Sequence, residues 1–85
     1  SLLLGQVKKP GWHNVSESAN ILSCINEAGG LVDGAVMSRI TIFRHVNAKS
    51  TALIANLYQY SVTGDERMLP VVHENDAIFV PIAAS

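Results

Sequence analysis

The feature that most restricts the fold is a single segment with helical periodicity in a chain of only 85 residues. Between residues 19 and 28 the apolar positions recur with the spacing of one helix face, at Ile21, Leu22, Ile25 and Ala28. Gly29-Gly30 follows at once, and glycine commonly supplies the left-handed residue that ends a helix. Ser16 or Ser18 can cap the start of this helix through a side-chain hydroxyl. In so short a chain, only a β-sheet can cover the apolar face of one helix.

The segments around the helix have the composition of β-strands, with many β-branched and aromatic residues. We expect five short strands, at residues 2–7, 12–15, 39–46, 51–58 and 76–81. Pro10-Gly11 is a turn pair that joins the first two strands in a hairpin. The fourth segment also contains alanine and leucine, which suit a helix, and the residues from 59 to 75 are expected to form an irregular connection. This order predicts an α+β fold of the β-grasp type, a mixed sheet packed on one helix.

Composition is typical of one compact domain, because 48% of the residues are apolar and 15% are charged. The net charge is −1 and the six cations are scattered along the chain. This pattern forms no basic surface for nucleic acid. A membrane span needs about 20 consecutive apolar residues, and no segment approaches that length. We therefore expect neither nucleic-acid binding nor direct membrane insertion.

Cys24 is the only cysteine, so no disulfide can form within the chain. It lies in the apolar helical pattern, which indicates a buried and inert thiol rather than a reactive one. The chain begins without methionine or a signal-peptide pattern. We therefore expect residues 1–85 to be a single domain excised from a longer multidomain protein, with the targeting information elsewhere.

Three motifs resemble, in the right order, those of the soluble-ligand-binding β-grasp (SLBB) family. They are GQVKKPGWHNV at residues 5–15, ILSCINEAGGL at residues 21–31 and HENDAIFVP at residues 73–81. Between them, ITIFR is similar to a family strand that often ends in arginine, and Ala35 matches a common alanine. Asn75 stands where the last motif usually has glycine, and asparagine tolerates a left-handed backbone. We expect Asp76 to accept hydrogen bonds from N–H groups of that turn.

The resemblance implies a non-catalytic module of a bacterial polysaccharide export or biosynthesis protein, in the periplasm or at the outer membrane. Its partners would be neighbouring domains or subunits of an export assembly, with polysaccharide as a second class of partner. Related domains also occur in cobalamin-binding proteins and in the flavoprotein subunit of respiratory complex I. A small-ligand-binding domain and an accessory domain of a redox enzyme therefore stay open as alternatives.

Six residues are candidates for contact with a glycan or a protein partner: Lys8, Lys9, Trp12, Arg44, Tyr58 and Tyr60. Each also has a structural interpretation. The two lysines would be solvated at a hairpin tip, and Trp12 is expected to cover one end of the core. Arg39 and Arg44 lie an odd number of positions apart, which on one strand places them on opposite faces. Tyr58 and Tyr60 share parity, so in an extended segment they would lie on one face and form an exposed aromatic pair.

The sequence contains no recognisable catalytic or metal-binding motif. The three histidines, His13, His45 and His73, lie far apart and lack metal-ligand spacing. Glu74 and Asp76 lie on one turn, where paired-carboxylate catalysis would need a cleft that a small domain can hardly build. Gly29-Gly30 follows a helix instead of preceding one, so it cannot present a helix N-terminus to phosphate. We expect no enzymatic activity, no cofactor and no metal.

Overall fold

A computed structural model describes residues 1–14 and 19–83. This part of the chain has an α+β fold in which a five-stranded mixed sheet packs on two α-helices. The strands are β1 Leu2–Gly5, β2 Gly11–Trp12, β3 Ile40–Val46, β4 Lys49–Ala55 and β5 Ala77–Val80. Their order across the sheet is β2-β1-β5-β3-β4. The central pair β1 and β5 is parallel, and the other neighbours are antiparallel.

The helices are α1 Ile21–Glu27 and α2 Leu57–Thr63, each of seven residues. In α1 the cap is Asn20, whose side chain accepts a hydrogen bond of 3.0 Å from the Ser23 N–H. The serines proposed as caps, Ser16 and Ser18, lie outside the described residues. Gly29-Gly30 ends α1 as predicted, with φ values of 85° and 95°. No helix in residues 1–14 and 19–83 is long and apolar enough to cross a membrane.

The second helix corrects the prediction of a single helix and of a strand over residues 51–58. The strand stops at Ala55, and Asn56 then caps α2 by accepting a hydrogen bond of 2.8 Å from the Gln59 N–H. Gly64 ends α2 in a left-handed conformation with φ 68°. An asparagine cap and a glycine terminator at helical distance outweigh the strand propensity of the segment between them.

The core lies between the sheet and α1. Five strand side chains point toward the helix with no exposed surface: Leu3, Ile40, Ile42, Ile78 and Val80. They pack against Ile21, Cys24 and Ile25, which are the buried residues of α1. The thiol of Cys24 is buried as predicted, and this desolvation raises its pKa. A helix thus covers one face of the sheet over β1, β5 and the first part of β3, and we call this side of the sheet the inner face.

β3 and β4 form a hairpin through a two-residue turn. The register runs from Ile40↔Ala55 to Val46↔Lys49 without a break. Asn47 and Ala48 form the turn with φ values of 50° and 66°. Positive φ at both central residues is the type I′ geometry, which suits the twist of paired strands.

Candidate interaction surface

The face of the sheet turned away from α1 is mostly apolar, and all five strands contribute to it. Successive strand residues point to opposite faces, and the register aligns the outward ones: Leu2 with Trp12, Leu4 with Phe79, Phe43 with Ala77, and Thr41 with Ile54. We call this the outer face. Its strand positions are Leu2, Leu4, Trp12, Thr41, Phe43, His45, Ser50, Ala52, Ile54, Ala77 and Phe79. None of these positions carries Asp, Glu, Lys or Arg.

Five large side chains on the outer face are well exposed: Trp12 at 70%, Ile54 at 62%, Phe43 at 50%, Leu4 at 43% and Phe79 at 39%. Their exposed parts amount to about 500 Å², since a whole side chain of this class presents about 150–250 Å². That is in the range of the largest apolar patch on a typical monomer, about 300–600 Å², which is often functional. A groove of about 510 Å³ lies at one end of the patch, where Thr41, Ile54 and Phe79 meet Ser38, Arg39 and Pro81.

The position of Trp12 corrects the expectation that it covers one end of the core. Trp12 pairs with Leu2, whereas Gly11 pairs with the buried Leu3. Alternation along the strand therefore turns the indole away from the helix. The ring is left largely in solvent, where a flat partner can reach it.

Lys8 and Lys9 lie in the loop that leads to Trp12. Their side chains are exposed, but their backbone N–H groups donate to carbonyl oxygens at the end of α1, to Gly30 at 3.0 Å and to Ala28 at 2.8 Å. The loop is therefore attached to the helix end and satisfies its carbonyls. It holds two ammonium groups in a fixed loop next to β2.

Arg44 is not on the outer face, because its side chain closes one end of the inner face against Asp76. The guanidinium Nη2 lies 2.8 Å from Asp76 Oδ2, and Nε lies 3.1 Å from Oδ1. Arg44 Nη2 also donates to the Val71 carbonyl at 2.9 Å. The side-chain exposures are 18% for Arg44 and 2% for Asp76. This candidate contact residue is therefore engaged in a largely buried, bidentate ion pair.

Asp76 fulfils the structural role predicted for it. Its Oδ2 accepts a hydrogen bond of 2.9 Å from the His73 N–H, across the turn that precedes β5. Desolvation, the largest single influence, raises the pKa of Asp76. The hydrogen bonds from Arg44 and His73, together with the charge of Arg44, outweigh desolvation and leave the pKa below its usual value. The carboxylate thus stays ionised inside the fold.

Arg39 differs from its expected place, because it lies in a short 3₁₀ turn, Met37–Arg39, that precedes β3. The alternation rule for strands does not apply there. Arg39 borders the outer-face groove beside Pro81. A cation therefore stands at the rim of the apolar face and not within it.

The two tyrosines do not form the expected pair, because both lie on α2. Two positions along a helix turn a side chain by about 200°. Tyr58 is 60% exposed, whereas Tyr60 is half-buried and packs against the core. Tyr60 lines a cavity of about 330 Å³ between α1 and α2, whose other apolar residues are Leu22, Ile25, Leu31, Met37 and Leu57.

A polar cleft of about 430 Å³ lies beside the ion pair, lined by Arg44, His45, His73, Glu74 and Asn75 among others. His45 Nδ1 lies 2.8 Å from Ser50 Oγ across the hairpin. Among the described residues no carboxylate hydrogen-bonds to this ring, so the pair lacks the orienting group of a triad. In the same part of the chain, no three His, Cys, Asp or Glu side chains are grouped to hold a metal ion.

Of the six candidate residues, the fold places Trp12 on the outer face, with Lys8 and Lys9 in the loop next to it. Arg44 lies at the end of the inner face, and the tyrosines lie on α2. Leu4, Phe43, Ile54 and Phe79 were not among the candidates predicted from the sequence. Their signal is the presence of adjacent apolar residues in LLL, IF, ALIA and AIFV, which is unusual where a sheet has one solvated face.

No protein-family model matches the chain, and no curated protein is significantly similar to it in sequence.

Proposed function

We propose that the chain is an SLBB-type β-grasp module of a bacterial polysaccharide export or biosynthesis protein. It acts without catalysis, in the periplasm or at the outer membrane, by docking on neighbouring domains or subunits of the assembly. The observation that carries this proposal is the outer face, a mostly apolar surface of all five strands with no Asp, Glu, Lys or Arg at its strand positions. A surface of this kind favours contact with protein over exposure to water.

The mechanism is geometric, because the module contributes a rigid face. The inner face is anchored by fully buried aliphatic side chains, and the Arg44–Asp76 ion pair connects β3 to the turn before β5. This bracing holds the five strands in one register. A neighbouring domain therefore meets a preformed surface, and little ordering entropy is lost on docking.

Contact with polysaccharide is the second part of the proposal. Trp12 offers an exposed indole that can stack on a sugar ring, because its large apolar face is fixed at low entropic cost. Lys8 and Lys9 are exposed in the adjoining loop. Two ammonium groups beside an aromatic plane favour an acidic sugar over a neutral one.

Trp12 also provides the test, since it is the only tryptophan in the chain. Its fluorescence is followed as the chain is concentrated, and as it is titrated with hexagalacturonic acid and with maltohexaose. We expect a blue shift with protein concentration and a larger response to the acidic sugar. The double variant F43K/I54K should abolish the concentration effect, because two charges in the patch resist desolvation. V62K, which adds a charge at a residue of α2 that is 68% exposed, should leave it unchanged.

The export assignment is tested in the bacterium that encodes the chain. F43K/I54K introduced in the genome should lower the amount of polysaccharide on the cell surface, and V62K should not. An unchanged amount with the double variant would contradict the assignment. A Trp12 signal that responds to neither concentration nor sugar would contradict the interaction role itself.

The cavity between α1 and α2 supports a second candidate function, that of a small-ligand-binding domain. Its lining is mostly apolar, with the Tyr60 ring and the Asn26 and Ser61 side chains as polar groups. The volume of about 330 Å³ is near the lower limit for ligand sites, so much of a cobalamin molecule would lie outside it. Saturable one-to-one binding of cobalamin in calorimetry, lost in Leu22→Trp, would favour this candidate over the first.

A further inference from the structure

The strand β4 forms an open edge of the sheet. It pairs with β3 and has no other neighbour in the described chain. Val46 and Lys49 flank the two-residue turn and so form a hydrogen-bonded pair, after which bonded and non-bonded pairs alternate. Ser50, Ala52 and Ile54 therefore direct their N–H and C=O groups away from β3. No backbone partner for these groups occurs within residues 1–14 and 19–83.

This edge lacks most of the features that usually prevent a strand from pairing with another chain. Its seven residues, KSTALIA, contain no proline, and the register with β3 has no bulge. Lys49, at the start of the strand, is its only charged residue. Six of the seven residues are exposed, so neither helix covers the strand. The opposite edge, β2, has only two residues and cannot serve as an equal template.

The sequence of β4 allows this strand to pair antiparallel with β4 of a second copy of the chain. A two-fold axis through Ala52 places Ala52 opposite Ala52, Thr51 opposite Leu53 and Ser50 opposite Ile54. The lysine at position 49 then faces Ala55, so no like charges meet. The outward groups of Ser50, Ala52 and Ile54 fall into bonded pairs, giving about six hydrogen bonds between the chains.

We infer that β4 pairs antiparallel with β4 of a second copy of this chain, joining two sheets into one of ten strands. The arrangement is isologous, as in most two-fold dimers. It deepens the proposed function and rests on it, because it places two outer faces side by side as one larger apolar surface. Pairing of the two edge strands alone buries less accessible surface than a stable specific interface, which buries at least about 1,200 Å². The dimer is therefore weak and depends on concentration.

Amide hydrogen exchange measured by NMR at about 20 µM and at about 2 mM tests the inference on the unaltered chain. The amides of Ser50, Ala52 and Ile54 should exchange at least about tenfold more slowly at the higher concentration. Those of Thr51 and Leu53, already bonded to β3, should not change with concentration. Sedimentation equilibrium on the same samples gives the oligomeric state.

Two substitutions at one position provide the matched comparison. Ala52→Pro removes an N–H that points away from β3, and proline is tolerated at such positions of edge strands. We expect it to weaken dimerisation by at least about tenfold. Ala52→Val keeps the N–H group and should dimerise like the unaltered chain. Normal exchange at Thr51 and Leu53 in both variants shows that the β3–β4 ladder is intact.

Dimerisation that leaves the amides of Ser50, Ala52 and Ile54 unprotected would overturn the edge inference and leave the proposed docking by the outer face standing. A chain that stays monomeric at about 2 mM would overturn the inference as well. The response of Trp12 to oligosaccharide, and the effect of F43K/I54K on the amount of polysaccharide at the cell surface, would still decide the proposed function separately.

Discussion

The two faces of the sheet are built from the same strands and from similar side chains, yet they are buried to very different extents. Ile42 has no exposed surface and packs under α1, whereas its neighbour Phe43 is 50% exposed on the outer face. The same contrast separates Ile78 from Phe79 on β5. Apolar character therefore does not by itself distinguish a core residue from a contact residue. Whether an apolar strand residue is buried depends on the helical layer, because that layer covers only one face of the sheet.

The two faces of the sheet also differ in where they carry charged side chains. The inner face ends in the ion pair of Arg44 and Asp76, which is hydrogen-bonded and largely buried. The outer face has no charged strand position at all, although water is available to solvate one. A face selected only for contact with water would carry charges. This difference is what supports an interaction role for the outer face.

The largest effect is expected at Ile42, which we compare with its neighbour Phe43 on β3. Ile42→Ala should lower the free energy of unfolding by about 3 kcal/mol, because it leaves a cavity in the sealed core. Phe43→Ala should lower it by less than about 1 kcal/mol, since half of that ring is already in water. Urea denaturation of dilute samples measures both values. Equal losses would mean that the outer face is covered in the free chain.

The second prediction concerns the ion pair at the end of the inner face. Asp76→Asn should cost about 2 kcal/mol at neutral pH, because the Arg44 charge loses its partner. The pKa of Asp76 is lower in the folded chain than in the unfolded one. Its stabilising effect is therefore complete above the unfolded pKa of about 4 and is lost as the pH falls through the folded pKa.

Urea denaturation between pH 2 and pH 7 should thus show an acid-dependent loss of stability that is smaller in Asp76→Asn. Asp65→Asn is the matched control. The side chain and N–H of Arg67 lower the pKa of Asp65 by hydrogen bonding, but this pair lies in an exposed turn. Its removal should change stability much less. Identical pH profiles for the unaltered chain and Asp76→Asn would show that the ion pair does not stabilise the fold.

The smallest effect is a gain in stability at the hairpin turn beside β4. Ala48 has φ 66°, a left-handed conformation that costs a non-glycine residue about 1–2 kcal/mol. Ala48→Gly removes this cost but adds entropy to the unfolded chain, so we expect a net gain of about 0.5 kcal/mol. Thermal unfolding measures the gain. A loss of stability would indicate that the turn is not strained.

Much of the secondary structure could be predicted from local sequence. α1 and its glycine terminator, β3 and β5 were located within a few residues, because periodicity and terminating residues act over one or two turns. The role of Asp76 also followed from its place in a turn. The prediction was wrong at residues 56–63, where Asn56 and Gly64 specify a helix in a segment with strand composition. The cap was not recognised because alanine, leucine and tyrosine suit both structures.

The candidate surface was only partly accessible to sequence reasoning. Trp12 was identified as a contact candidate, but its exposure depends on its register with β1, which the sequence alone does not specify. Tyr58 and Tyr60 were placed on one face because a strand was assumed. Phe79 joins Phe43 and Leu4 on this face only because β5 inserts between β1 and β3. Contacts between strands distant in sequence are set by topology.

The sequence by itself determined the α+β class, the end of α1 and the position of the strands that form the centre of the sheet. These features depend on hydrophobic periodicity and on capping, which neighbouring residues specify. Only the tertiary structure decided which apolar residues are buried and which remain on the outer face. The physical reason is that one short helix can shield one side of a sheet, and strand pairing across the chain determines which side each residue faces.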